Sequence, residues 1–366
     1  MISIILYNLL SFIFIISIIV FIHEFGHYYI AKLCGVKIET FSIGFGKEIF
    51  GFNDKNDTRW KFCLIPFGGY VKMFGDKNPA SMPDDKINEL KDEEKSTSFY
   101  FQNVYKKSAI VLAGPLANFI LAIFLLMIIF KINGINTTLP IISEISKNSP
   151  AEKYGLALND KILKIDNKNI TSFQEIKRFV AINGHKELAF HIERSGKNKI
   201  INIIPEITEQ KDIFNNKVKL PFIGIKSDKI LKKDLDLLSS FNMSVKKTYE
   251  LSANILKTLY YLITGQRNIK ELGGPLKIAQ YSGKSIDMGF MMTIYFIALI
   301  SINLGVINLL PIPALDGGHL FFYIIEIIRG KSVPEKIQIY SFKFGISLVM
   351  MLMAFTIFND TRQFID

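Results

Sequence analysis

Cysteine is scarce in this chain: of 366 residues, only Cys34 and Cys63 carry a thiol. Two thiols rule out a disulfide-stapled scaffold and form no recognised metal set, so both read as free cysteines. Tryptophan is rarer still, with Trp60 alone, and no internal repeat, collagen-like tract or coiled-coil heptad occurs. Lysine and arginine outnumber aspartate and glutamate by 44 to 33, giving a net charge of +11. The lysines are scattered and form no basic stripe with interleaved aromatics, which argues against nucleic acid as a partner. The most telling absence is of charge itself. No charged residue precedes His23, and none lies within 108–130 or 288–315.

Each of these runs is about as long as the ~20 residues a helix needs to cross ~30 Å of hydrocarbon. With 49% hydrophobic residues and a mean hydropathy of +0.27, the chain is expected to be a polytopic α-helical membrane protein. A fourth span is predicted over 338–358, with Lys343 near its start able to snorkel to the head groups. The first run lacks a basic n-region and a small-residue cleavage site, so it reads as a retained span and not a secretory signal. If each run crosses once, Lys32, Lys37, Lys106, Lys107, Arg329, Lys331 and Lys336 share one side, which the positive-inside rule makes cytoplasmic.

What is present at the end of the first run is His23-Glu24-Phe25-Gly26-His27, an H-E-x-x-H pattern. On a helix, residues four apart share a face, so both imidazoles can reach one metal ion while Glu24 stands beside the metal's water. This is the core of a zinc hydrolase, placed where ionisable groups are costly enough to be functional. Counting back from Lys32 at 1.5 Å per residue sets His27 roughly 7 Å and His23 roughly 13 Å below the surface. Two histidines hold zinc poorly, and catalytic sites usually take three protein ligands. Topological parity returns the third run to the same side, delivering Asn308-Leu309-Leu310-Pro311-Ile312-Pro313-Ala314-Leu315-Asp316-Gly317-Gly318-His319. Asp316 ends the uncharged run, the two prolines break the helix before it, and a carboxylate suits zinc; it is the expected third ligand. The alternatives are that Asp316 merely caps the next helix, or that His319 is the ligand. Zinc would bring the pKa of bound water toward ~7, and Glu24 would take the proton and return it to a leaving amine.

The organisation follows from these landmarks. Residues 1–32 form the first span and 33–105 a cytoplasmic-side segment, with a membrane-associated β-hairpin over 36–74 and a flexible loop over 76–98. The second span covers 106–130. A small α+β domain follows over 138–208, then a connector over 209–287 with an amphipathic helix. The third span with its acidic motif covers 288–320. In the small domain, the Ser149-Pro150-Ala151 helix start and the Gly155 to Asp166 turn and strand resemble a bacterial PDZ domain. The apolar stretch 62–74 is a candidate edge for holding an unwound substrate by strand addition, with Gly68 and Gly69 permitting close approach beside Tyr70.

Four motifs occur in order: His23–His27, Ile65-Pro66-Phe67-Gly68-Gly69-Tyr70-Val71-Lys72-Met73, Gly114-Pro115-Leu116-Ala117-Asn118-Phe119 and Asn308–Gly318. Together they resemble the site-2 protease family, and within it the bacterial RIP metalloproteases of the sigma-E-regulator type. The resemblance implies four spans in the bacterial inner membrane with a periplasmic PDZ region. It implies zinc on His23, His27 and Asp316, Glu24 as catalytic residue, and Asn308 close to substrate. It further implies substrates that are single-span proteins, anti-sigma factors or remnant signal peptides. Some members carry two PDZ domains, whereas this chain has room for one. The competing reading is a membrane-tethered PDZ scaffold with an inactive metal site, disfavoured by the intact set His23, Glu24, His27 and Asp316.

Overall fold

The computed structural model describes residues 2–76, 90–184, 186–211, 217–265 and 273–365. Two compact units emerge, one of residues 1–130 with 237–366 and one of residues 131–236.

The first unit opens with α1 (Ile2–Leu33), whose Lys32 closes the last turn. Then come β1 (Ile38–Asn53), β2 (Arg59–Met73), the short α2 (Asp92–Thr97) and α3 (Val104–Asn133). The flexible loop expected over 76–98 falls mostly outside the described residues, and where described it includes α2, whose first turn carries Asp92, Glu93 and Glu94 at the helix's positive end. Among the described residues, four helices have the length and apolarity to cross a membrane: Ser3–Leu33, Val104–Asn133, Phe290–Asn308 and Glu335–Arg362. Leu10, Phe14, Ile120, Phe124, Phe344 and Met350 along them are exposed, as lipid-facing side chains must be.

The hairpin is more than two strands. Thr40, Phe41, Ser42 and Ile43 pair on one side with Lys72, Val71, Tyr70 and Gly69, and on the other with Arg59, Trp60, Lys61 and Phe62; the latter also pair with Asn53, Phe52, Gly51 and Phe50. Each long strand thus folds back on itself, at Gly44 and Gly46 (both φ +87°) and at Gly68 (φ +118°), to make four paired segments. Residues 69–73 form one margin, and among the described residues no further strand pairs with their outer edge. Phe41 and Trp60 stack at 4.3 Å, and Phe41, Val71 and Met73 pack with Tyr28 and Ala31 of α1 in one buried cluster.

The second unit comprises β3 (Ile135–Thr138), β4 (Glu144–Ile145), α4 (Pro150–Lys153), β5 (Lys161–Ile165), β6 (Lys168–Asn169), α5 (Phe173–Asn183), β7 (Leu188–Arg194), β8 (Lys197–Ile203), β9 (Glu206–Lys211), β10 (Lys217–Phe222), β11 (Ile225–Lys226) and β12 (Ile230–Lys233). A four-stranded sheet in the order β6-β5-β7-β8 is covered by α5. Ser149 and Ser172 cap α4 and α5 through their side chains. The core joins Ile142, Ile162, Ile165, Ile176, Leu188, Phe190, Ile192 and Ile203, all essentially inaccessible. Here the expected domain boundary needs correction. The sequence set the domain at 138–208, but β11 pairs with β4 and β12 with β3, so residues up to 233 belong to this fold and not to a connector. These strands are two to four residues long, too short to show alternation.

The chain then returns to the first unit through α6 (Leu237–Ile263), α7 (Pro275–Asp287), α8 (Phe290–Asn308), α9 (Asp316–Arg329) and α10 (Glu335–Ile365). Between α8 and α9, Pro311 and Pro313 keep residues 309–315 out of the helix, with Ala314 at φ +83°.

Candidate active site

Helices α1, α3 and α9 converge, with the strand β2 beside them. His23 and His27 project from one face of α1, and α3 crosses it closely enough that a Cβ on Gly114 would lie 2.2 Å from His27 Nε2 and 2.9 Å from His23 Cε1. Only glycine lets α3 approach the two rings this far. The break after α8 brings Asp316, in the first turn of α9, to the same point. Leu315 and not Asp316 occupies the cap position of α9.

His23 Nε2 lies 3.2 Å and His27 Nε2 3.6 Å from Asp316 Oδ2, and the two Nε2 atoms are 3.3 Å apart. A tetrahedral zinc with bonds of ~2.0–2.1 Å holds its ligand atoms roughly 3.3 Å from one another, so the three atoms have the spacing of one face of that tetrahedron. Asp316 Oδ2 is buried and has no hydrogen-bond partner among the described residues. Burial alone would disfavour its charge, yet His27 and His23 hold its carboxyl well below the usual carboxylate range. A lone pair orphaned between two imidazoles is the arrangement a bound cation would satisfy. His319 does not join this group. It lines the same cleft one turn further along α9.

The imidazoles are oriented from behind by α3. His27 Nδ1 is 2.9 Å from the Ile110 carbonyl oxygen, and His23 Nδ1 is 3.1 Å from the Asn118 side-chain amide. Asn308, at the end of α8, brings Nδ2 within 3.4 Å of His23 Nε2. A cleft of about 460 Å³ opens in front, lined by His23, Glu24, His27, Gly69, Tyr70 and Asn308 among others. Glu24 and the hairpin meet there: a Cβ on Gly69 would come within 2.9 Å of Glu24 Cγ. Gly68 precedes this contact at the bend in the strand.

Of the residues singled out from sequence, His23, Glu24, His27, Gly69, Tyr70, Asn308 and Asp316 share one cleft. Sequence alone gave no role to Asn118 or Gly114, although both lie in the third of the four motifs; an asparagine in the middle of an apolar span was the signal. Phe342 and Ile346 of α10 also line the cleft, and nothing in their surroundings in the sequence marks them.

The profile of peptidase family M50 matches residues 11–352. The chain belongs to peptidase family M50. A Rhizobium meliloti relative named provisionally as a zinc metalloprotease is 36% identical over 97% of this chain and 96% of its own. One from Rickettsia conorii with the same provisional name is 38% identical over 97% of this chain and 99% of its own. The metalloprotease MmpA of Caulobacter vibrioides is 33% identical, covering 97% and 96%. Among solved structures, the PDZ domain of an SdrC-like protein from Listeria innocua is 20% identical over 26% of this chain and 99% of that one, with a TM-score of 0.21. This family M50 peptidase is therefore a membrane metalloprotease of the site-2 type, and the resemblance read from its four motifs is the family it belongs to.

Proposed function

We propose that the protein is a zinc-dependent intramembrane endopeptidase that cuts single-span membrane proteins within or near their membrane segment. The observation that carries this reading is the group of His23, His27 and Asp316 with Glu24 beside it, on a helix apolar enough to span a bilayer. Zinc bound by these three residues would supply the Lewis acidity that activates water and polarises the scissile carbonyl. Glu24 takes a proton from the attacking water on its carboxylate and delivers it to the leaving amine nitrogen. Asn308, whose amide faces the cleft, is assigned to substrate binding.

A transmembrane helix already has its backbone hydrogen bonds made, so it must be unwound before cleavage. We assign that task to the margin at Gly69, Tyr70 and Val71, which lines the cleft with its outer edge unpaired among the described residues. Strand addition there would hold the substrate extended across Glu24, whose side chain the bare Gly69 lets pack directly against the strand. The hairpin is read as membrane-associated, on the strength of exposed Phe45, Ile49, Phe50, Leu64 and Ile65. The lysine distribution supports placing the site toward the cytoplasmic side of a bacterial inner membrane and the 131–236 unit, read as a PDZ-like domain, in the periplasm. Anti-sigma factors and remnant signal peptides are the substrate classes this reading carries over from the site-2 family.

The Glu24→Gln variant tests it. Cleavage of a single-span reporter should fall by ~10²–10⁴-fold while zinc content and reporter capture persist. Undiminished cleavage in that variant overturns the assignment.

A further inference from the structure

Asn118 has no counterpart in the reaction just described, yet it is fully buried in the middle of α3, an apolar span. An amide there is costly unless its hydrogen bonds are made. Its main-chain oxygen accepts from Ser301 Oγ at 2.8 Å, tying α3 to α8. Its side chain faces His23 Nδ1 at 3.1 Å, and Asn118 Oδ1 has no hydrogen-bond partner among the described residues.

We propose that Asn118 is the positioning residue that makes His23 a metal ligand, by accepting the Nδ1 proton on its side-chain oxygen. This rests on the reading that His23, His27 and Asp316 hold zinc. An imidazole that ligates through Nε2 carries its proton on Nδ1, and that proton requires an acceptor. A half-turn of the Asn118 amide exchanges Nδ2 for Oδ1 without moving the chain. The orphaned oxygen then accepts the N–H, and the amide nitrogen takes the place the oxygen held. The opposite orientation, with Nδ2 donating to a bare Nδ1, places the proton on Nε2 and blocks ligation.

His27 has the same device built from main chain, since the Ile110 carbonyl lies 2.9 Å from its Nδ1. Ile110, Gly114 and Asn118 are spaced by four along α3 and so share one face: acceptor, close-packing glycine, acceptor. Backbone serves one ring, and a side chain serves the other.

The test is zinc affinity of the full-length protein in detergent, measured by competition with a chromophoric chelator. Asn118→Leu keeps the branching at Cγ but removes the acceptor, and should weaken zinc by ~10–100-fold, the usual cost of losing such a partner. Asn118→Asp presents oxygens that only accept, and should hold zinc at least as tightly as the unaltered chain. Equal affinity for the leucine variant overturns the proposal, and so does weakened affinity of a folded aspartate variant, which decides the matter if the leucine variant does not fold. Failure of the unaltered chain to take up zinc would instead sink the metal reading on which the proposal stands.

Discussion

The chemistry is concentrated in a few atoms whose positions depend on residues that carry none. Gly114 is the clearest case, because a single methyl group there would overlap the His27 ring at 2.2 Å. Ligands displaced by even ~0.5 Å no longer fit a tetrahedral ion. Gly114→Ala should therefore weaken zinc by at least ~10-fold in the chelator competition, with the helix content of the protein unchanged by circular dichroism; zinc binding at the original strength would show that α3 can retreat freely. The residues that donate electron pairs were legible in the sequence because H-E-x-x-H and the proline-broken acidic loop impose type and spacing. Asn118 and Gly114 were not, because their work is done across a helix crossing, and spacing along one helix says nothing about what faces it from another.

At the level of elements, the hairpin shows what patterning can and cannot convey. Alternation and glycine pairs mark strands over 36–74, but the return of each strand on itself depends on pairings between segments about 20 residues apart, which no local pattern encodes. What anchors this small sheet is Asp54 at its turn. Asp54 Oδ1 accepts from the backbone N–H of Asn56 and Thr58 at 2.8 and 3.0 Å, and Oδ2 from Tyr28 Oη and Trp60 Nε1, both at 3.2 Å. Partial burial opposes its charge, but these donors outweigh it and keep the carboxyl below its ordinary range. A carboxyl depressed by folding stabilises the fold above its unfolded pKa of ~3.9 and loses that contribution as pH falls through the folded value. Trp60, the sole tryptophan, reports on this directly. Its emission should stay constant from pH ~8 to ~5 and shift red only at more acid pH, as the carboxylate is protonated. Asp54→Ala should show the red-shifted emission already at neutral pH. An unshifted spectrum in that variant would mean the sheet is held by its stacking on α1 alone.

For the whole molecule, the division into two units has an energetic meaning. The 131–236 unit encloses its own apolar core, from Ile142 to Ile225, whereas the clusters of the first unit join its spans to one another and to the hairpin. Three spans were legible because an uncharged run of twenty or more residues rarely persists in a chain unless lipid surrounds it, and the fourth was legible as an apolar stretch with Lys343 only near its start. It misjudged the extent of the α+β unit because the last strands there are too short to announce themselves. Metal, if held by His23, His27 and Asp316, belongs to the first unit only: it ties α1 to the first turn of α9, two parts of the chain almost 300 residues apart. Binding that favours the folded state alone stabilises it by about 4 kcal/mol at a thousandfold excess over Kd. Removing zinc with a chelator should therefore raise hydrogen exchange in 20–30 and 305–320 while leaving β5, β7 and α5 as protected as before. Restoring zinc should reverse the change, and His27→Ala should show it without chelator. Equal deprotection of both units, or of neither, would mean that the ion does not fasten these two segments together.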